Sequence, residues 1–347
     1  MSIRAAALAP DAPLADTDWR RRLDELFLGA AAEIRERRSL AQAFAEVASW
    51  PDRHRRLQAR ARLAELALAN QGPPATWGPL FASAAAGLLA ALQEDPAEPL
   101  LLNYAGVFLY ELGAAAEAER LFQAALRLDP SLPRAQGNLA AARARKRQPS
   151  LALAALRALV SPLLGQARAV ASRARPAQGL TLSLCMIVRD EEEMLPGCLE
   201  PVAPHVDEIV VVDTGSSDRT VEIAGKFGAN VIHFPWNGSF ADARNVSLEH
   251  ASGDWILYLD ADEHMVAEDA PLLRSLLGRT WREGFHLVWT SYTGGDETGP
   301  AVAHLALRLF RNRPQYRFQG HIHEQKTQHM PTFLPERFET VPIRVLH

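Results

Sequence analysis

The hydrophobic pattern of the chain changes period once, near residue 180. Before it, apolar residues recur at helical spacing: Trp19, Leu23, Leu26 and Phe27, then Leu57, Leu63, Leu66 and Leu68 among arginines and alanines. Asn70-Gln-Gly72-Pro73-Pro74 breaks this pattern, and a new helical block begins near Trp77. After residue 180, short continuous apolar runs alternate with helical stretches. Residues 181–188 and 205–212 read as strands buried on both faces, 229–234 and 254–259 as further strands, and 191–199, 218–227 and 239–251 as the helices between them. Ser and Asp residues cap the second of these helices and Gly228 stops it. Strands joined by such short helical crossovers imply right-handed β-α-β units and a mostly parallel, Rossmann-like sheet. The expected fold class is therefore α plus α/β, an all-helical N-terminal domain followed by the sheet domain.

The helical half contains an internal repeat. Taking Pro99 as the first position of a 34-residue unit, Gly106, Ala118, Phe122, Ala125 and Pro130 fall where a tetratricopeptide repeat (TPR) carries glycine, alanine, aromatic, alanine and proline. Ala84, Leu88, Ala91 and Pro96 repeat the second-helix pattern one unit upstream, and residues 133–145 resemble the first helix of a further unit. The small residues let two antiparallel helices approach, and the proline ends the second. This divides the chain into a TPR-like domain (1–147), a linker with helical pieces (148–179) and the sheet domain (180–347). Repeats of this kind offer a concave surface to a protein partner, or to a second copy of the chain in a homo-oligomer.

Charge separates the halves further. The net charge is −4, but residues 1–179 carry 23 basic against 17 acidic residues and residues 180–347 carry 14 against 24. So acidic a second half argues against nucleic acid as partner, because phosphate backbones are bound by Lys and Arg. Basic Arg143-Ala-Arg145-Lys146-Arg147 reads as a solvated helix end. Two cysteines, Cys185 and Cys198, form no disulfide or metal framework, which suits a reducing cytoplasm. The start lacks the apolar core of a signal peptide, and the longest apolar stretch, 151–171, is interrupted by Arg157, Pro162 and Arg168, so no transmembrane segment is expected.

The acidic residues collect at strand ends: Arg189-Asp190-Glu191 after the first strand, Asp213-Thr-Gly215-Ser-Ser-Asp218 after the second, Asp260-Ala-Asp262-Glu263 after the fourth. Sheets of this class bind ligands beyond the C-terminal ends of their strands. Asp260 and Asp262, spaced i, i+2, can face one hard cation together. Mg²⁺ or Mn²⁺ carrying a substrate phosphate fits, since magnesium takes one or two protein carboxylates and fills its shell with water and phosphate oxygens. Asp218 reads as a helix cap, Glu263 as a strand-end partner and Glu268 as a surface acid.

Five blocks in order make residues 181–325 resemble a family-2 glycosyltransferase of the GT-A fold, in the TPR-linked, SunS-like group. They are Leu184-Cys-Met-Ile-Val-Arg-Asp-Glu-Glu, Ile209-Val-Val-Val-Asp-Thr-Gly-Ser-Ser-Asp, Phe240-Ala-Asp-Ala-Arg-Asn, Leu257-Tyr-Leu-Asp-Ala-Asp-Glu, and Arg308-Leu-Phe-Arg through Phe318-Gln-Gly-His-Ile-His-Glu. The resemblance implies a nucleotide-diphosphate sugar as donor, held by Arg189, Glu191, Asp213, Arg244, Asn245 and Asp260. It implies a divalent metal at Asp260 and Asp262, direct coordination falling mainly to the second. No covalent nucleophile is then needed: an acceptor attacks in line with inversion, assisted by a general base. By position that role passes to Glu324 with His323, and His321 alternates with His323 in a spacing that can also bind metal. The chain stops at Val345-Leu-His347, roughly where relatives enter a histidine-containing element and further helices; the resemblance would set His347 at that metal-side histidine, and the shorter end is expected to bear on the acceptor site and on activity. The expected function is a metal-dependent inverting glycosyltransferase with a protein, peptide or glycan acceptor. An alternative from another class is an interaction module carrying an inactive transferase-like domain. A nucleotidyltransferase would need a glycine- and basic-rich phosphate loop where this chain has Arg189-Asp-Glu-Glu-Glu193.

Overall fold

A computed structural model describes residues 16–36, 39–69, 74–146, 153–292, 301–314, 316–319, 325–328 and 337–347. The chain divides into two units, residues 1–176 and 177–347. The first is helical: α1 Asp16–Arg35, α2 Ala41–Ala48, α3 Arg53–Ala69, α4 Pro74–Glu94, α5 Pro99–Glu111, α6 Ala115–Leu128, α7 Ala135–Lys146 and α8 Leu153–Arg173. The repeat expected from Pro99 is the α5–α6 pair. Pro99 opens α5 at a position where no intrahelical N–H is required. Gly113, at φ 88°, turns the chain into α6, which a side chain would strain. Gly106 faces Phe122 so closely that a Cβ there would lie 2.5 Å from the ring, and Ala118, Phe122 and Ala125 are all buried.

Helix α7 completes the next half-unit, with Asn138 Nδ2 donating to Asn103 Oδ1 on α5 at 3.0 Å. Much of the stretch expected as a linker is the single helix α8. It packs on α4 and α6, and its Ala171 carbonyl accepts from Arg127 at 2.9 Å, so it belongs to the helical unit. Its buried Leu156, Leu163, Ala167 and Val170 recur at helical spacing, which covers an apolar face that the repeat helices could not bury alone.

The second unit is built on one eight-stranded sheet ordered β3-β2-β1-β4-β7-β6-β10-β5. The strands are β1 Leu182–Val188, β2 Glu208–Asp213, β3 Asn230–His233, β4 Trp255–Tyr258, β5 His264–Met265, β6 Gly284–Tyr292, β7 Ala301–Arg311 and β10 Phe338–Leu346, with a separate hairpin of β8 Tyr316–Gln319 and β9 Gln325–Gln328. Helices α9 Leu195–Val202, α10 Thr220–Lys226, α11 Phe240–His250 and α12 Leu272–Leu277 connect them. Strands β3, β2, β1 and β4 are mutually parallel; β7 enters antiparallel on both sides.

The unbroken apolar runs are buried because both faces of the sheet are covered. Leu184, Met186, Ile209, Val211, Trp255 and Leu257 enter one core with α9, α10 and α12, while Cys185, Val210 and Ile256 point into the other with α11 and β8. Three segments start later than expected. Residues 191–194 form a turn before α9, residues 203–205 a 3-10 turn before β2, and α10 begins at Thr220, where Asp218 Oδ1 accepts the Thr220 N–H at 2.9 Å. In the first and third, polar side chains beyond the strands hold the backbone outside regular structure.

Strand β10 returns between β6 and β5 and places the end of the chain at the sheet's upper edge. It is tied by Asp269, which accepts from the Arg344 backbone N–H at 3.0 Å and from its guanidinium at 2.7 and 3.1 Å. The hydrogen-bonded Arg344, against an opposing effect of partial burial, holds the Asp269 carboxyl below its usual range.

Two outcomes follow from this packing. A Gly106→Ala substitution gains up to about 1 kcal/mol of helix propensity but overpacks Phe122, at a cost of about 1–3 kcal/mol; a net loss is expected in urea unfolding, and an unchanged midpoint would exclude the close packing. Because the Asp269 pKa is depressed, its contribution is present above the ordinary carboxylate pKa and lost as pH falls through the lowered value. The gap in melting temperature between the parent and Asp269→Asn should therefore be open at pH 7 and close towards pH 3; a constant gap would show that the charge is not involved.

Candidate active site

Strand order reverses at β1: the chain leaves it for β2 and β3 on one side and returns to β4 on the other. A crevice outside the strand ends at such a point is where open α/β sheets take ligands. Here it is a cavity of about 440 Å³. Ile187, Val188, Arg189 and Glu191 line it from β1 and the loop after it, and Thr214 lines it from beyond β2. Asp260, Ala261, Asp262 and Glu263 enter from beyond β4, Trp236, Phe240 and Arg244 from α11 and the turn before it, and Trp289, His304, Arg308 and His347 from the β6, β7 and β10 side.

The two aspartates after β4 have different surroundings. Asp260 Oδ1 lies 2.8 Å from Arg244 Nη2, and its Oδ2 lies 3.8 Å from Arg308 Nη1. Both guanidinium groups sit against the Tyr258 ring, at 5.4 and 4.3 Å from its centroid, which favours cations over its face. Asp262 is half exposed and faces His347, Nε2 to Oδ2 3.2 Å. The His347 ring packs on Trp289 at 4.9 Å, and Trp289 packs on His304 at 4.4 Å. Asp260, expected beside Asp262 at a metal, is thus committed to arginines, while Asp262 keeps an open flank.

Beneath them Glu263 is buried and fully employed. It accepts the Asp260 N–H at 3.0 Å and the Trp289 indole N–H at 2.6 Å, and it pairs with Arg308. Burial keeps its carboxyl above the usual range despite the Arg308 charge beside it. Glu191 is also raised, first by burial and then by the fields of Asp262, Asp218, Asp190 and Asp260. Carboxylates crowded in this way favour a cation among them. Among the described residues no group of three or more His, Cys, Asp or Glu side chains is arranged to hold a metal. The donor set of Asp262 and His347 instead suits an ion that completes its shell with substrate oxygens.

Of the residues expected to hold a donor, Arg189, Glu191, Arg244 and Asp260 meet at the cavity. Asp213 ends β2 at the same sheet edge, but its carboxylate is occupied: Oδ1 accepts the Ser216 N–H at 3.0 Å and Oδ2 lies 3.1 Å from His233 Nδ1. Burial raises its pKa, yet these hydrogen bonds lower it further, and the net shift is downward. Asn245 departs from the donor-facing expectation. Its amide donates to the Phe318 carbonyl at 3.0 Å and accepts the Phe318 N–H at 2.8 Å, tying α11 to β8. Glu324, His323 and His321 lie outside the described residues.

Sequence reading gave no role to Arg308, Trp289, His304, Trp236 or Phe240. The signal for Arg308 was a charge inside the apolar alternation of β7. Trp236 and Phe240, large yet exposed and packed edge to face at 4.8 Å, flank the helix-capping Ser239.

A switch-point cleft with acidic strand ends makes the second unit an open α/β domain with a ligand edge. Residues 183–333 match the model of glycosyl transferase family 2. A TPR repeat-containing protein of Synechococcus elongatus is 47% identical over 143 residues, 41% of this chain and 34% of that protein. The prophage-derived glycosyltransferase SunS of Bacillus subtilis is 27% identical over 169 residues, 48% of this chain and 39% of that protein. The chain thus spans between a third and two fifths of the length of these relatives. Solved structures are more distant. Staphylococcus aureus TarS has 21% identity and a TM-score of 0.31, over 34% of this chain and 23% of that one. Glucosyl-3-phosphoglycerate synthase from Mycobacterium tuberculosis, solved with Mn²⁺, UDP-glucose and phosphoglyceric acid, has 26% identity and a TM-score of 0.28, over 34% and 45%.

Replacing Glu263 by Leu takes the nearest carboxylate from buried Arg308 and leaves it only Asp260 at 3.8 Å, a loss of up to about 3–5 kcal/mol, the cost when a buried pair loses one partner. The expected readout is a large fall in the denaturation midpoint; a shift below about 1 kcal/mol, within the range of an exposed pair, would show that Glu263 is not the support of this edge.

Proposed function

We propose that the second unit transfers a sugar from a nucleoside-diphosphate sugar to a protein, peptide or glycan acceptor, with inversion at the anomeric carbon and with the help of Mg²⁺ or Mn²⁺. The helical unit presents the acceptor or a partner protein on its TPR-like surface. The observation that carries this reading is the division of labour after β4, where Asp260 is held between two arginines and Asp262 is left open beside His347.

In this reading Arg189, Glu191 and Arg244 hold the donor, and Asp213 supports the loop after β2 by fixing Ser216. Arg244 offers a planar fork to diphosphate oxygens and keeps Asp260 oriented. Asp262 with His347 would hold the cation, which supplies Lewis-acid neutralisation of the charge on the leaving diphosphate. Glu324, with His323, is proposed as the base that takes the acceptor proton. No helix of the described residues is long and apolar enough to cross a membrane, and the two free, buried cysteines support a cytoplasmic setting.

Calorimetric titration with Mn²⁺ and UDP-, GDP- and dTDP-sugars should reveal one donor that binds only with the metal; a folded protein that binds none would leave the interaction-module reading in its place. Asp262→Asn removes charge and keeps volume, so transfer should fall about 10²-fold or more, as when a preorganised charge-stabilising group is lost, with the melting temperature little changed. Turnover close to the parent's with Mn²⁺ present would reject the metal assignment.

A further inference from the structure

The loops after β1 and β2 are bonded to each other through side chains that the proposed chemistry does not use. Asp190 adopts φ +53°, a left-handed conformation that few side chains other than Asp and Asn tolerate. Its backbone N–H donates to Ser216 Oγ at 3.0 Å, and its Oδ1 accepts from the Ser217 N–H at 2.7 Å and Ser217 Oγ at 3.1 Å. The next two residues continue the seam. The Glu191 N–H donates to Thr220 Oγ1 at 2.7 Å and the Glu192 N–H to Asp218 Oδ2 at 3.0 Å. Glu192 Oε2 in turn accepts from the Arg219 N–H at 3.1 Å and its Nε at 3.0 Å. At the seam's root, Thr214 donates to the Val188 carbonyl through both its N–H and its hydroxyl.

This pattern has a purpose that a plain turn would not need. The N–H groups of residues 190–192 lie past the end of the β1–β2 ladder, whose last pair is Val188 with Asp213, and they would otherwise face water. The hydroxyl and carboxylate groups of the Ser-Ser-Asp-x-Thr run take them up one by one. Either side of Asp190, Arg189 and Glu191 both line the cleft.

We infer that Asp190 is a positioning residue: held left-handed by Ser216 and Ser217, it latches the β1 loop to the β2 loop and so keeps Arg189 and Glu191 placed for a nucleoside diphosphate. This rests on the donor reading above for its ligand, while the latch itself is testable without one. Three variants separate the contributions. Asp190→Asn keeps an acceptor oxygen and the left-handed conformation, Asp190→Gly keeps only the conformation, and Asp190→Ala keeps neither.

Amide hydrogen exchange and calorimetric binding of UDP, GDP and dTDP with Mn²⁺ are measured on the full chain. In Asp190→Gly the exchange of both 189–193 and 214–220 should accelerate about tenfold or more, and the nucleotide that the parent binds should weaken by a similar factor, with the global melting temperature little changed. Asp190→Asn should stay within about twofold of the parent in both readouts, and Asp190→Ala should be at least as impaired as Asp190→Gly. Exchange that accelerates only at residue 190 in the glycine variant, or unaltered nucleotide affinity despite loosened loops, would overturn the inference. A parent that binds none of the three nucleotides would sink the donor reading and the ligand part of the inference, and the exchange result alone would then decide the latch.

Discussion

One buried carboxylate holds the upper edge of the sheet domain in its working shape. Glu263 is buried, and its oxygens are shared among the Asp260 backbone, the Trp289 indole and Arg308. These partners come from beyond β4, from β6 and from β7, so a single side chain ties three strands together. The desolvation of an acid is affordable there because Arg308 is buried beside it and lies against the Tyr258 ring. With that pair in place, Asp260 is drawn between Arg308 and Arg244, and Asp262 is turned out towards His347. Two aspartates of one motif thereby acquire different chemistry from a residue that touches neither the metal nor the donor in the proposed reaction.

The rest of the edge is built by loops whose own polar side chains replace the lost strand ladder. Ser216, Asp218 and Thr220 accept the backbone N–H groups of the β1 loop, and Ser217 donates to the Asp190 carboxylate. Strand β10, pinned by Asp269 to the turn after β5, brings His347 opposite Asp262. In the helical unit the governing constraint is simpler. Gly106 and Phe122 fix how near α5 and α6 approach, and α8 covers the apolar face that remains on α4 and α6.

Much of the architecture was legible in the sequence because its signals are local. The unbroken apolar runs of β1 and β2 announce strands covered on both faces, Gly106 with Ala118, Phe122 and Ala125 announces close helix packing, and acids directly after strands announce a ligand edge. Boundaries were less legible. The turn at 191–194 is helical in composition, but the N–H groups of Glu191 and Glu192 are captured by the neighbouring loop, partners 29 and 26 residues away in sequence. Residues 153–173 resemble a linker by composition and form a helix because α4 and α6 offer a surface. Asn245 follows Arg244 directly, yet successive helical positions face different directions, and its amide meets the backbone of β8.

By itself the sequence determined the order of elements through β4, the parallel half of the sheet and the three acidic strand ends, since hydrophobic period and turn chemistry act over a few residues. Only the tertiary structure decided which acid is paired and which is open. That choice depends on Arg308, Trp289 and His347, residues from strands that meet β4 or one another only when the sheet closes. The Asp260-Ala-Asp262 pattern places two carboxylates at a strand end, and the arginines and the histidine of distant strands give each its partner.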